Sequence, residues 1–166
     1  FNPICVEGSV DINGRKIGIK QIHLEEDAGK LVHDEATNTS FVDYNRTSVP
    51  LIEIVTKPDF RSSDEVIAYL KKLKSSLQFA GISECEEGAM RCDVNISLMK
   101  DTDTELGTKV EMKNINAFNN VRAAIEYEIK RQTEVLESGG KVVQETRRIA
   151  EDGKTYSMRE KVDAVD

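Results

Sequence analysis

Alternation of apolar and polar positions dominates this chain, and two helical stretches interrupt it. Val10-Asp11-Ile12-Asn13-Gly14-Arg15-Lys16-Ile17 reads as a hairpin, because Asn-Gly supplies the two positive φ angles of a tight turn. Ile17, Ile19 and Ile22 with Leu24 continue it as a partly buried strand that feeds His23-Leu24-Glu25-Glu26-Asp27-Ala28-Gly29-Lys30. Residues 33–39 are polar and turn-like, and 40–46 alternate. Pro50 introduces a further short strand, Leu51-Ile52-Glu53-Ile54-Val55, which Lys57-Pro58-Asp59 ends. From Met90 onward, Met90, Cys92, Val94, Ile96 and Leu98 face one way and Arg91, Asp93, Asn95 and Ser97 the other. Residues 108–114 repeat the pattern, with Val110 and Met112 inward and Lys109, Glu111 and Lys113 outward. Residues 142–149 form another predicted strand, and Asp152-Gly153 turns it toward a hairpin partner over 155–159.

The helical stretches have their own punctuation. Ser62 with Glu65 three residues on makes a capping box. Val66, Ile67, Leu70, Leu73 and Leu77 follow at helical spacing, and Gly81 is the stop. Asn116 is the expected cap of a second helix, with Phe118, Val121, Ile125 and Ile129 on its buried stripe and Gly139-Gly140 at its end. Strands outnumber helices and pair as hairpins, so the predicted class is α+β, a twisted antiparallel sheet backed by two helices in a single domain. The lysines at 71, 72 and 74 read as a solvated helix face.

Composition narrows the function. At 166 residues and a net charge of −7, the chain carries too little basic surface to act as a general polyanion-binding face. Nucleic-acid contact would be local or supplied by another subunit. No apolar run is long enough to cross a membrane, and no basic, apolar-cored leader marks the chain for secretion. The opening Phe1-Asn2-Pro3-Ile4 lacks methionine, from which the expectation is an interior piece of a larger protein. Cys5, Cys85 and Cys92 lack zinc-type pairing and read as free thiols.

The charged positions supply candidate chemistry. Three consecutive carboxylates, Glu25 to Asp27, close a strand, where a hard cation or a basic side chain would satisfy them; a solvated acidic turn is the alternative. Glu53 is a lone carboxylate inside an apolar run, which reads as a structural salt bridge or a metal ligand. If the strands share one sheet, their polar faces line a cradle. Glu26, Glu53, Glu87 and Glu111 would then offer oxygens to magnesium, while Arg91, Lys113 and Arg147 would hold phosphate. That grouping suits phosphoryl transfer. No glycine-rich phosphate loop is present, and no Ser/His/Asp or Cys/His arrangement stands out.

Several blocks in order also resemble the B-subunit family of tRNA-dependent aspartyl/glutamyl amidotransferases. They are Ile22-His23-Leu24-Glu25-Glu26-Asp27-Ala28-Gly29-Lys30, Val42-Asp43-Tyr44-Asn45-Arg46, and Val49-Pro50-Leu51-Ile52-Glu53-Ile54-Val55. Glu86-Glu87-Gly88 with Arg91-Cys92-Asp93 follows, then Lys113-Asn114 with Asn116 and Phe118. Ile125-Glu126-Tyr127-Glu128 and Gln144-Glu145-Thr146-Arg147 after Gly139-Gly140 complete the series. The resemblance implies a glutamine-synthetase-like α+β fold and a ligase that uses Mg2+ and ATP. Its substrate is a glutamate or aspartate mischarged on tRNA, whose side-chain carboxylate is phosphorylated and then amidated. The amido donor is glutamine, through ammonia from a glutaminase A subunit, and a small C subunit completes a heterotrimer. The implied setting is the cytoplasm, or an organelle in a eukaryote, with no membrane partner.

Carried over by motif, Glu26 and Glu53 are expected as magnesium ligands, with Glu25 and Glu111 as helpers. Arg91, Asn95 and Lys113 are expected on phosphate or acyl phosphate, Arg147 joins the nucleotide-binding set, and His23 orients a carboxylate. There are departures. The family's Glu-x-His strand and its closing Phe-Pro-Glu-Pro segment fall outside the chain, the loop 81–85 is short, Ser48 replaces a common glycine and Lys57 a common glutamate. These lead to the expectation of a divergent fragment that is inactive alone. The rival readings are a non-catalytic remnant that docks or positions tRNA, and the related archaeal E subunit.

Overall fold

The computed structural model describes residues 2–34, 36–45, 47–86 and 88–158. Phe1, Arg46, Glu87 and Arg159, all noted above for their sequence, lie outside them. The chain divides after Phe60 into two compact units.

In the first unit, β1 (Cys5–Ile12) and β2 (Arg15–Glu26) form the expected hairpin, with Asn13 at φ 49° and Gly14 at φ 83°. β2 also pairs antiparallel with β5 (Pro50–Thr56), the fifth strand in the chain, giving a three-stranded sheet in the order β1-β2-β5. The spacing Ile17, Ile19, Ile22, Leu24 breaks strict period two, and the structure supplies the reason. One extra residue of β2 is accommodated between the Ile19–Thr56 and Gln21–Val55 pairs, so a bulge restores the four apolar residues to one face. Ile17 and Ile12 are buried and anchor that sheet.

The turn predicted over 33–39 is present at residues 36–38, and the alternation predicted from 40 lies on β4 (Thr39–Asp43). The sequence pattern does not show β3 (Lys30–Asp34), which precedes the turn and pairs with β4 in a two-stranded sheet of their own. The Asp34 carboxylate closes it by accepting from the Ala36 N–H at 3.0 Å and the Thr37 hydroxyl at 2.8 Å. Ser48 takes φ 63°, a left-handed value that glycine adopts without strain.

In the second unit, α1 (Ser63–Phe79) starts as expected. The Ser62 hydroxyl accepts from the Glu65 N–H at 3.2 Å, and the Glu65 carboxylate takes the Arg61 N–H at 2.9 Å. Gly81 follows the last turn at φ 67°. α2 (Phe118–Glu137) departs from expectation at its start, because Ala117 holds the cap position and makes no side-chain bond there. Its buried stripe also differs, running Val121, Ala124, Ile125, Glu128 and Gln132, while Ile129 is exposed.

β6 (Cys92–Ile96), β7 (Val110–Ile115), β8 (Thr146–Ile149) and β9 (Thr155–Ser157) form a four-stranded sheet in chain order. β7 and β8 run parallel, since α2 carries the chain back to the same end. Val110, Met112 and Ile115 are buried, joined by Val121, Ala124 and Ile125 of α2. Among the described residues the strands therefore build three sheets instead of one, and one pairing is parallel. The α+β class stands; the single antiparallel cradle does not. The three cysteines are free, and burial pushes the Cys92 thiol up to about 11. Among the described residues, no helix is long and apolar enough to cross a membrane.

Candidate functional site

The first unit carries the acidic positions on β2 and β5. Register pairs His23 with Glu53, Glu25 with Leu51 and Glu26 with Pro50. Because side chains alternate along a strand, Glu25, His23 and Glu53 share one face, and Glu26 falls on the other with Leu24 and Ile52. The expected pairing of Glu26 with Glu53 is thus replaced, on register, by Glu25 with Glu53. Glu53 itself is exposed. Among the described residues β5 is an edge strand of its sheet. Next to it, the His23 Nδ1 is buried without a hydrogen-bond partner.

Among the described residues, no three His, Cys, Asp or Glu side chains converge into a metal-holding group. That arrangement still suits magnesium, which binds through one or two carboxylates and completes its shell with water and substrate phosphates. Glu25 and Glu53 are the two carboxylates that register sets on one face, a donor number compatible with magnesium, whereas calcium would demand a fuller cage.

The second unit carries the basic positions. Across β6 and β7, Asn95 stands opposite Glu111, and Lys113 follows Glu111 on the same outward face. The Lys113 Nζ lies 3.7 Å from the Glu111 carboxylate. The strand irregularity beside them places Asn114 at φ 57°, and its N–H donates to the Asp93 carboxylate at 2.9 Å. Arg91 is exposed immediately before β6. Thr146 donates its hydroxyl to Glu111 at 3.4 Å, and these two with Lys109, Gln144 and Glu145 line a cleft of about 200 Å³.

Arg147 is placed differently from the expectation that it binds nucleotide. Its side chain is 12% exposed, and its donors go to the Thr155 hydroxyl at 2.9 Å, the Thr155 carbonyl at 2.7 Å and the Glu145 carboxylate at 2.7 Å. Its Nε also lies 3.1 Å from Glu128, a carboxylate with no exposed surface. Glu128 is the residue that sequence reasoning passed over. It accepts from Arg131 Nε and Nη2 at 2.9 and 2.8 Å, from Gln132 at 3.0 Å and from the Thr155 hydroxyl. Burial pushes the Glu128 carboxyl up, but the hydrogen bonds from Arg131, Thr155 and Gln132 outweigh it and hold it below the ordinary value. The available signal was spacing: 121, 125, 128 and 132 continue one helical stripe.

A family model described as "GatB/GatE catalytic domain" matches residues 1–166. The chain is 58% identical over 171 residues to the B subunit of the aspartyl/glutamyl-tRNA(Asn/Gln) amidotransferase of Caldicellulosiruptor saccharolyticus, covering 99% of this chain and 36% of that protein. It is 53% identical over 173 residues to the protein of the same name from Lachnoclostridium phytofermentans, covering all of this chain and 36% of that protein. The chain thus spans about a third of the length of these curated relatives.

Proposed function

Because the chain belongs to the GatB/GatE catalytic-domain family, we propose that it is part of the ATP-dependent ligase of a tRNA-dependent amidotransferase. The observation that carries this reading is the match over residues 1–166, together with relatives at 58% and 53% identity that bear the B-subunit name. The family description also covers GatE, but the names of those relatives favour the B-subunit reading over the E-subunit one.

The proposed substrate is the side-chain carboxylate of glutamate or aspartate mischarged on tRNA. One carboxylate oxygen attacks the γ-phosphorus of ATP and ADP leaves; ammonia then attacks the acyl carbon and inorganic phosphate departs. Magnesium would neutralise charge on the transferring phosphoryl group. Glu25 and Glu53 would hold the ion on the shared face of β2 and β5, with His23 orienting them. Within the second unit taken by itself, Arg91, Asn95 and Lys113 would be the phosphate contacts, with Glu111, 3.7 Å from the Lys113 Nζ, positioning that lysine. Arg147 has an internal role in this scheme. The ammonia would come from a glutaminase A subunit, with a small C subunit completing the assembly, in a cytoplasmic or organellar setting.

The test is ADP release by the intact protein. It should require magnesium and a tRNA carrying the mischarged amino acid together, and correctly charged tRNA should not replace it. ADP release indifferent to the aminoacyl group would refute the proposed substrate.

A further inference from the structure

We propose that Glu128, remote from the outward face of β7, is a positioning residue that sets where Glu111 stands. The inference rests on the proposed role of Glu111 for its catalytic consequence, but on geometry alone for the positioning. β8 pairs with β7 at two positions, Glu111 with Thr146 and Met112 with Arg147. So short a parallel ladder holds its register weakly by itself. What reinforces it is the buried cluster behind it. Glu128 grips Arg147 at 3.1 Å and the Thr155 hydroxyl, so one carboxylate of α2 ties down both β8 and β9.

The cluster reaches Glu111 by two routes. Arg147 holds the Glu145 carboxylate at 2.7 Å, and the Glu145 carbonyl accepts the Glu111 N–H at 3.0 Å. Thr146, between those two residues, donates to the Glu111 carboxylate at 3.4 Å. Backbone and side chain of Glu111 are therefore both held by the segment 145–147, and that segment is held by Glu128. Arg131 closes the cluster, with its guanidinium on Glu128 at 2.8 Å and 3.8 Å from Glu145.

Two variants of the intact protein test this. Glu128→Gln removes the charge at the centre, and Thr155→Val is milder, deleting one hydroxyl at constant shape. Amide hydrogen exchange should show the Glu111 N–H losing protection at least tenfold in both, while the Leu70 N–H of α1 keeps its own. Thr155→Ser, which restores the hydroxyl, should return the Glu111 N–H to its original rate. The ATP concentration for half-maximal amidation should rise at least threefold in Glu128→Gln and Thr155→Val, because Glu111 positions Lys113 for phosphate. If Glu111 and Leu70 lose protection in step, or if Glu111 is unchanged, Glu128 is a stability residue only and the inference falls. Glu111→Gln separates the two layers. An unchanged ATP dependence there refutes the role proposed for Glu111, while the exchange data still decide the positioning.

Discussion

Glu53→Gln is expected to lower the proposed ATP-dependent amidation by about a hundredfold or more, while glutamine hydrolysis by the proposed glutaminase partner continues. A carboxylate that holds the cation at a transferring phosphoryl group contributes several kcal/mol at the transition state, and each ~1.4 kcal/mol is tenfold in rate. The amide is the same size and still accepts a hydrogen bond, so the loss reads the charge. Register sharpens the prediction. Glu25 shares the face of Glu53 and should behave like it when changed to glutamine, whereas Glu26, on the other face, should be nearly silent. Steady-state amidation with each variant decides the matter. A large effect at Glu26 with none at Glu25 would overturn the face assignment, and unchanged amidation in Glu53→Gln would remove Glu53 from the site.

The second large effect concerns stability. Glu128→Ala should destabilise the second unit by about 3–5 kcal/mol, because it leaves the half-buried Arg131 and Arg147 without the carboxylate between them. Denaturant unfolding at neutral pH measures this. The pH dependence follows from the direction of the shift. Glu128 has its carboxyl held below the ordinary 4.5 in the folded state, as does Glu145, where burial raises it but bonds from Ser157 and Arg147 outweigh that. The stability they contribute is therefore present above the unfolded value and lost as pH falls through the lowered folded value. The native protein should weaken steadily below pH 4.5, and Glu128→Gln, having less to lose, should show a shallower acid slope. An equal slope in both would show that Glu128 carries none of the acid sensitivity.

The parts of this fold that were legible in the sequence are those set by local chemistry. Asn13-Gly14 made the hairpin, Ser62 with Glu65 made the helix start, and Cys92 to Ile96 alternated as a half-buried strand must. What escaped depends on distant partners. Lys30 to Asp34 shows no clean alternation, and only pairing with Thr39 to Asp43 makes it a strand. The parity break between Ile19 and Ile22 was visible, but the bulge that resolves it belongs to the register with β5, and that same register separates Glu26 from Glu53. Arg147 looked like a phosphate donor because arginine is equally suited to phosphate and to carboxylate. Glu128, on a stripe of otherwise apolar or amide positions, is what selected the internal partner.

The central claim is that a carboxylate carried by tRNA is phosphorylated before it is amidated. The most direct measurement uses mischarged aminoacyl-tRNA whose side-chain carboxylate is labelled with oxygen-18, with the intact protein, magnesium, ATP and ammonia. The account predicts one labelled oxygen in each inorganic phosphate released, because the bond broken in the second step is between the acyl carbon and that oxygen. Unlabelled phosphate accompanying full amidation would contradict it, since phosphate would then have come from ATP by attack of water.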